Sequence, residues 1–96
     1  MSEKFMDDYG TELELGDVVE DDKAEESSPW KFHYVEDCGW GPQIRDFAAH
    51  NVGMIQEGKA KRVGAWNDPK VVERLIKAGV HKSAKEIEDD VWELMR

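Results

Sequence analysis

The feature that most restricts what this chain can fold into is its last thirty residues, NDPKVVERLIKAGVHKSAKEIEDDVWELMR, where helix start signals, stop signals and apolar spacing coincide. Asp68 has an N-cap side chain, and Pro69 stands at the first helical position, where a missing N–H costs nothing. Val71, Leu75 and Ala78 recur at i, i+4 and i+7, with Val72 and Ile76 widening the stripe. Gly79 suits a left-handed C′ residue, and Val80 behind it can pack back on the last turn as a Schellman motif requires. A second helix opens at Ser83 with Glu86 three residues on, the spacing of a capping box. Ala84, Ile87, Val91, Leu94 and Met95 share its apolar face, and the four-residue connection predicts a helical hairpin.

The outer faces of the two helices differ in sign. The first carries Lys70, Arg74 and Lys77; the second carries Glu86, Asp89, Asp90 and Glu93 on one arc, with like charges three and four positions apart. Each such like pair costs roughly 0.2–0.5 kcal/mol in an isolated helix; the arc reads either as a solvated acidic face or as one whose crowding is offset by basic residues of this chain or by a basic partner.

Ahead of the hairpin the signals are shorter. Residues 1–10 lack an apolar period and read as a loose lead-in, followed by a short strand within Leu13 to Val19 and a charged loop, Glu20 to Ser28. Trp30 to Val35 alternates aromatic and polar side chains, the pattern of a half-buried strand with Trp30, Phe32 and Tyr34 on one side. Glu36 to Gly41 is a turn. Pro42 then starts an expected helix through Asn51, with Ile44, Phe47 and Ala48 inward. Val52 to Ile55 and Ala60 to Trp66 read as a β-hairpin turning at Glu57-Gly58. The expected fold is α+β, a small antiparallel sheet with a central helix and a C-terminal helical hairpin, in ββαββαα order.

Ile55 to Gly64 resembles the wing of excisionase-type winged helices, and Ile44 to Ala49 resembles their first helix. The resemblance implies DNA binding, but His50 to Gln56 leaves no room for the recognition helix that would read the bases.

A chain of 96 residues has the size of one domain with a single modest core. Its net charge of −9 is uneven: residues 1–28 hold 11 acids against Lys4 and Lys23, whereas 29–96 hold 11 acids and 11 bases. That division suggests an acidic N-terminal arm, 1–28, carrying the short strand, and one α+β globular domain, 29–96. With no run of 18 apolar residues and an acidic start, neither a membrane span nor a signal peptide is expected. A single cysteine, Cys38, suits a reducing, cytoplasmic compartment.

No catalytic motif stands out. Cys38, His33, His50 and His81 lack the close ligand pairs of a structural zinc site, so no metal and no cofactor are expected. Cys38 precedes an expected helix N-terminus, but a cysteine nucleophile also needs an oriented histidine and a cleft. G-x-S-x-G, P-loop, H-E-x-x-H and G-x-G-x-x-G are all missing, which points away from an enzyme.

Two binding functions remain. The favoured expectation is a protein-binding module that meets a basic surface on a larger protein through Asp21, Asp22, Glu25, Glu26, Glu86, Asp89, Asp90 and Glu93. Its sharper form is an inhibitor or nucleic-acid mimic, with closely spaced carboxylates standing in for phosphates. The alternative is a nucleic-acid-binding accessory protein using Lys59, Lys61, Arg62, Lys70 and Arg74. An acidic arm tethered nearby opposes that use, or folds over the basic residues as a flap.

Overall fold

A computed structural model of the chain describes residues 5–37, 42–46, 55, 57–80 and 83–94, without the side chains of 29, 37, 46 and 90–94. Four strands, β1 (Asp17–Asp21), β2 (Phe32–Asp37), β3 (Pro42–Asp46) and β4 (Ala60–Ala65), precede two helices, α1 (Pro69–Lys77) and α2 (Ala84–Leu94). The strands form one antiparallel sheet in the order β3-β2-β1-β4, so the class is α+β.

The helix caps agree with the sequence signals. Asp68 Oδ1 accepts the Lys70 N–H at 2.9 Å, and Pro69 begins α1. At the other end Gly79 has φ +77°, which costs a residue without Cβ nothing. The Gly79 N–H donates to Ile76 O at 3.0 Å and the Val80 N–H to Leu75 O at 3.1 Å, which completes the Schellman motif. Ser83 Oγ accepts the Glu86 N–H at 3.3 Å and opens α2.

The helices cover one face of the sheet. Val18, Phe32 and Tyr34 from the strands meet Val71, Leu75 and Ala78 of α1 and its C-cap, with Ile87 of α2, in one buried cluster. The opposite face is also covered: Leu13, Val19 and Val35 form a second cluster, with Phe5 and Ile44 packed against it. Trp30 to Val35 is therefore not half-buried. The strand begins at Phe32, and Trp30 lies in the 3-10 turn Pro29–Lys31 with its side chain exposed. Between the aromatics His33 is buried too, because the segment 5–16 lies over the face that it shares with Val35. Lys31 is buried with its ammonium on the carbonyls of Asp21 and Ala24.

A strand stands where the central helix is expected. Pro42–Asp46 pairs with β2, and 47–51 lie outside the described residues. The physical reason is a period of two. Ile44 packs into the second cluster, while Gln43 Nε2 and Arg45 Nε on the other face both donate to Glu36 Oε1, at 2.8 and 2.6 Å. Proline serves a helix start and an outer strand equally, since neither needs its N–H. The likeness of Ile44 to Ala49 to a winged-helix first helix fails at the same place, since residues 44–46 are strand. The expected partner of β4, Val52 to Ile55, lies outside the described residues except for Ile55, which is in no strand. The described partner of β4 is β1, with Asp21 opposite Ala60 and Asp17 opposite Ala65.

Within residues 1–28, β1 is an inner strand, flanked by β2 and β4. The segment before it forms a closed loop rather than a loose lead-in: Leu13 N–H donates to Phe5 O at 2.8 Å, Met6 bridges Glu12, and Asp7 N–H donates to Thr11 O at 2.9 Å. The local cause is Asp7, whose Oδ1 accepts the N–H of Tyr9 at 2.9 Å and of Thr11 at 2.8 Å. Short acidic side chains hold turns in this way.

Candidate functional site

The acidic residues divide into two groups, those that bond within the fold and those that face outward. Asp21 and Asp22 belong to the first. Asp21 is buried; its Oδ1 accepts the Lys23 N–H at 3.1 Å and its Oδ2 the Glu57 N–H at 3.0 Å. Asp22 Oδ1 accepts the Lys59 N–H at 2.8 Å, and its Oδ2 accepts the Tyr9 hydroxyl. A Cβ at Gly58 would stand 2.1 Å from Asp22 Oδ1, so the bare glycine is what lets this backbone approach the two carboxylates. Two further acids continue the pattern: Asp8 Oδ2 accepts the Ala60 N–H at 2.7 Å and Asp7 Oδ2 the Arg62 N–H at 2.8 Å. Four carboxylates from the acidic stretch thus hold four backbone donors between residues 57 and 62.

Glu26 is bonded within the fold as well. Its oxygens accept from Arg74 Nε and Nη2, both at 2.8 Å, while Glu20 Oε2 takes Arg74 Nη2 at 2.7 Å. The guanidinium lies 5.1 Å from the Phe32 ring centroid, a cation–π distance. Lys31 is buried beside them, with Nζ donating to Asp21 O at 2.9 Å and Ala24 O at 2.7 Å, and 3.5 Å from Glu20 Oε2. A buried ammonium is tolerated only with its protons placed in this way.

Glu25 is exposed, and α2 holds the outward acids. Ile87 is fully buried, whereas Glu86, Glu88 and Asp89 are exposed, with Lys85 Nζ 2.8 Å from Asp89 Oδ1. Asp90 and Glu93 lie on the same helix, with side chains outside the description. Ala84, expected on the inner face, is exposed.

The basic residues of the alternative are also scattered in their roles. Arg62 pairs with Asp17, Nε to Oδ2 at 2.9 Å, and Arg74 is held by Glu20 and Glu26. Lys59 Nζ stands 5.8 Å from the Tyr9 ring centroid; Lys61 and Lys70 are exposed. Among the described residues no group of three or more His, Cys, Asp or Glu is gathered to hold a metal, and no helix is long and apolar enough to cross a membrane.

Sequence reasoning passes over Asp7, Asp8 and Glu36, and counts Asp17 only as one more acid of an outward array. Asp7 carries a legible signal, an aspartate three residues before Gly10 in a polar run, the composition of a side-chain-capped turn.

The bonds set a pH dependence. Burial pushes the Asp7 and Asp21 carboxyls up, but the backbone N–H donors outweigh it and leave both below the usual carboxylate range. Asp22 is lowered first by the Tyr9 hydroxyl and then by the Lys59 N–H. Glu26 is lowered chiefly by Arg74. A group lowered in the folded state contributes stability above its unfolded pKa, about 3.9 for aspartate, and loses it as pH falls through the folded value. The urea midpoint should therefore hold between about pH 7 and 5 and fall below about pH 4. A midpoint unchanged down to about pH 2.5 would contradict these bonds.

No protein-family model, no curated protein and no solved structure matches the chain.

Proposed function

We propose that the chain is a small, non-enzymatic protein-binding module of the cytoplasm that presents the acidic outer face of α2 to a basic surface on a larger protein. One observation carries this reading: Glu86, Glu88 and Asp89 are exposed on a helix whose inner side is anchored by the buried Ile87. A face fixed in this way presents its residues at the constant spacing of a helix, with little backbone ordering left for the moment of binding. Glu25 is exposed on the loop after β1, and Asp90 and Glu93 belong to the same helix as Glu86. Asp21, Asp22 and Glu26 contribute to the module through the fold rather than at the contact, since their oxygens already have partners within the chain. An inhibitor or nucleic-acid mimic is the specific form in which the larger protein's surface is one that ordinarily holds phosphates.

The test is a matched pair of baits, the native chain and an E86K/E88K/D89K variant shown by circular dichroism to keep its helix content. Partners retained by the native bait at low salt should be lost with the variant and released as salt rises, since rim charges act mainly through salt-sensitive encounter. Equal retention of the same partners by both baits would end the proposal. Retardation of DNA or RNA by the native chain, abolished by K61A/K70A, would replace it with the nucleic-acid alternative.

A further inference from the structure

β4 ends the described sheet, and its far side is occupied by the chain itself. The Ala60 N–H donates to Asp8 Oδ2 at 2.7 Å, the Asp8 N–H donates back to Ala60 O at 3.0 Å, and the Arg62 N–H donates to Asp7 Oδ2 at 2.8 Å. These groups alternate with those that β4 turns towards β1, so Asp7 and Asp8 sit where a fifth strand would lie. They do so as a turn, with one backbone bond and two carboxylate bonds in place of a ladder. The strap is anchored at its ends, where Leu13 is buried and Phe5 packs on the second cluster. Its tip has no apolar anchor and is held by polar contacts alone, those of Asp7 and Asp8 to β4 and of the Tyr9 hydroxyl to Asp22. Asp8, Tyr9 and Gly10 are exposed, and Tyr9 leaves about half of its surface in water, at 54 %.

The strand beneath is basic. Lys59 and Lys61 project on one side of it, both exposed, so an acidic strand alongside would find cross-strand partners of opposite charge on that face, while Arg62 on the other is already paired with Asp17. A second copy of β4 would instead set lysine against lysine.

From the strap seated on a basic edge we infer that the outer edge of β4 is a strand-addition site for an acidic extended peptide, occupied in the isolated chain by the tip 7–10 as an internal competitor. Main-chain bonds to Ala60 and Arg62 supply affinity, and carboxylates on the lysine side of the ligand select it. The tip swings clear while Phe5 and Leu13 keep the strap attached, so the apparent affinity of the native chain is the intrinsic one multiplied by the fraction open. This surface is separate from the α2 face, and the two proposals stand or fall independently.

The probe is a nine-residue peptide with the sequence of residues 5–13, FMDDYGTEL, beside a control with asparagine at both aspartates. A D7A/D8A variant, checked for fold by amide NMR, should bind the acidic peptide at least about tenfold more tightly than the native chain does, and the control at least about tenfold more weakly. The shifted amides should be those of residues 59–62, and K59E/K61E should abolish binding. A folded D7A/D8A variant that ignores the peptide overturns the proposal. Should that variant not fold, hydrogen exchange of the native chain decides. Ala60 and Arg62 amides that exchange well ahead of the β1–β2 ladder, and slow when the acidic peptide is added, support an opening tip. If those amides exchange only with global unfolding, or are unaffected by the peptide, the edge is permanently closed and the inference is wrong.

Discussion

Replacing Leu75 with alanine should remove about 3–4 kcal/mol of folding stability, measured by urea unfolding. Leu75 is fully buried in the cluster that joins Val18, Phe32 and Tyr34 of the sheet to Ile87 of α2, so its side chain bridges three elements. Alanine is a better helix former than leucine by only a few tenths of a kcal/mol, and the Val80 N–H still reaches the residue 75 carbonyl, so local helix energetics barely change. The loss is then transfer free energy plus the cavity left behind. Against a total of roughly 5–14 kcal/mol for a chain this size, it is a large fraction and should lower Tm by about 15–25 °C. A loss under about 1 kcal/mol would mean that α1 does not pack on this sheet.

The second large effect is electrostatic. Arg74→Ala should cost about 2 kcal/mol and lower Tm by about 10–15 °C. The guanidinium serves two carboxylates and a ring: Glu20, largely buried at 13 % side-chain exposure, Glu26, and Phe32 beneath. Both carboxylates hold the guanidinium strongly in its charged form, first through the Glu26 hydrogen bonds. Once that cation is removed, Glu20 keeps Lys31, 3.5 Å away, as a positive neighbour. The residual pairing is why the expected cost falls below that of orphaning a buried charge completely. A double-mutant cycle with Glu20→Gln should show coupling of at least about 1 kcal/mol. Additive losses would place the Arg74 contribution in its bonds to Glu26 and its packing over Phe32 instead.

The legible part of the fold is local. Asp68, Pro69, Gly79 and Ser83 announce helix ends through bonds that span two to five residues, and the structure makes those bonds. The strand at Phe32 shows in its alternation. Pro42 misleads because the same fixed φ and missing N–H suit a helix start and an outer strand; only the distant acceptor, Glu36, decides between them. The partner of β4 misleads for a related reason. A glycine turn makes the nearest strand the natural choice, whereas the pairing observed joins residues from opposite halves of the chain.

The acidic stretch marks where such reading ends. Composition presents Asp21, Asp22 and Glu26 as solvated charges, and nothing in their immediate neighbours says otherwise. Their partners, Glu57, Lys59 and Arg74, are 36, 37 and 48 positions away. A carboxylate that caps distant backbone has no sequence period, so charge counting assigns it to the surface. The exposed face of α2 is legible because helix geometry alone determines which of its residues share a side.

The position of β1 has a consequence for synthesis. As the chain leaves the ribosome, β1 and β2 can meet early, but the other flank of β1 stays bare until residues 60–65 have emerged. During that interval Asp7, Asp8, Asp21 and Asp22 lack the amides of residues 57–62 that they later receive. Left in water, these carboxylates add to the self-repulsion of the unfinished chain.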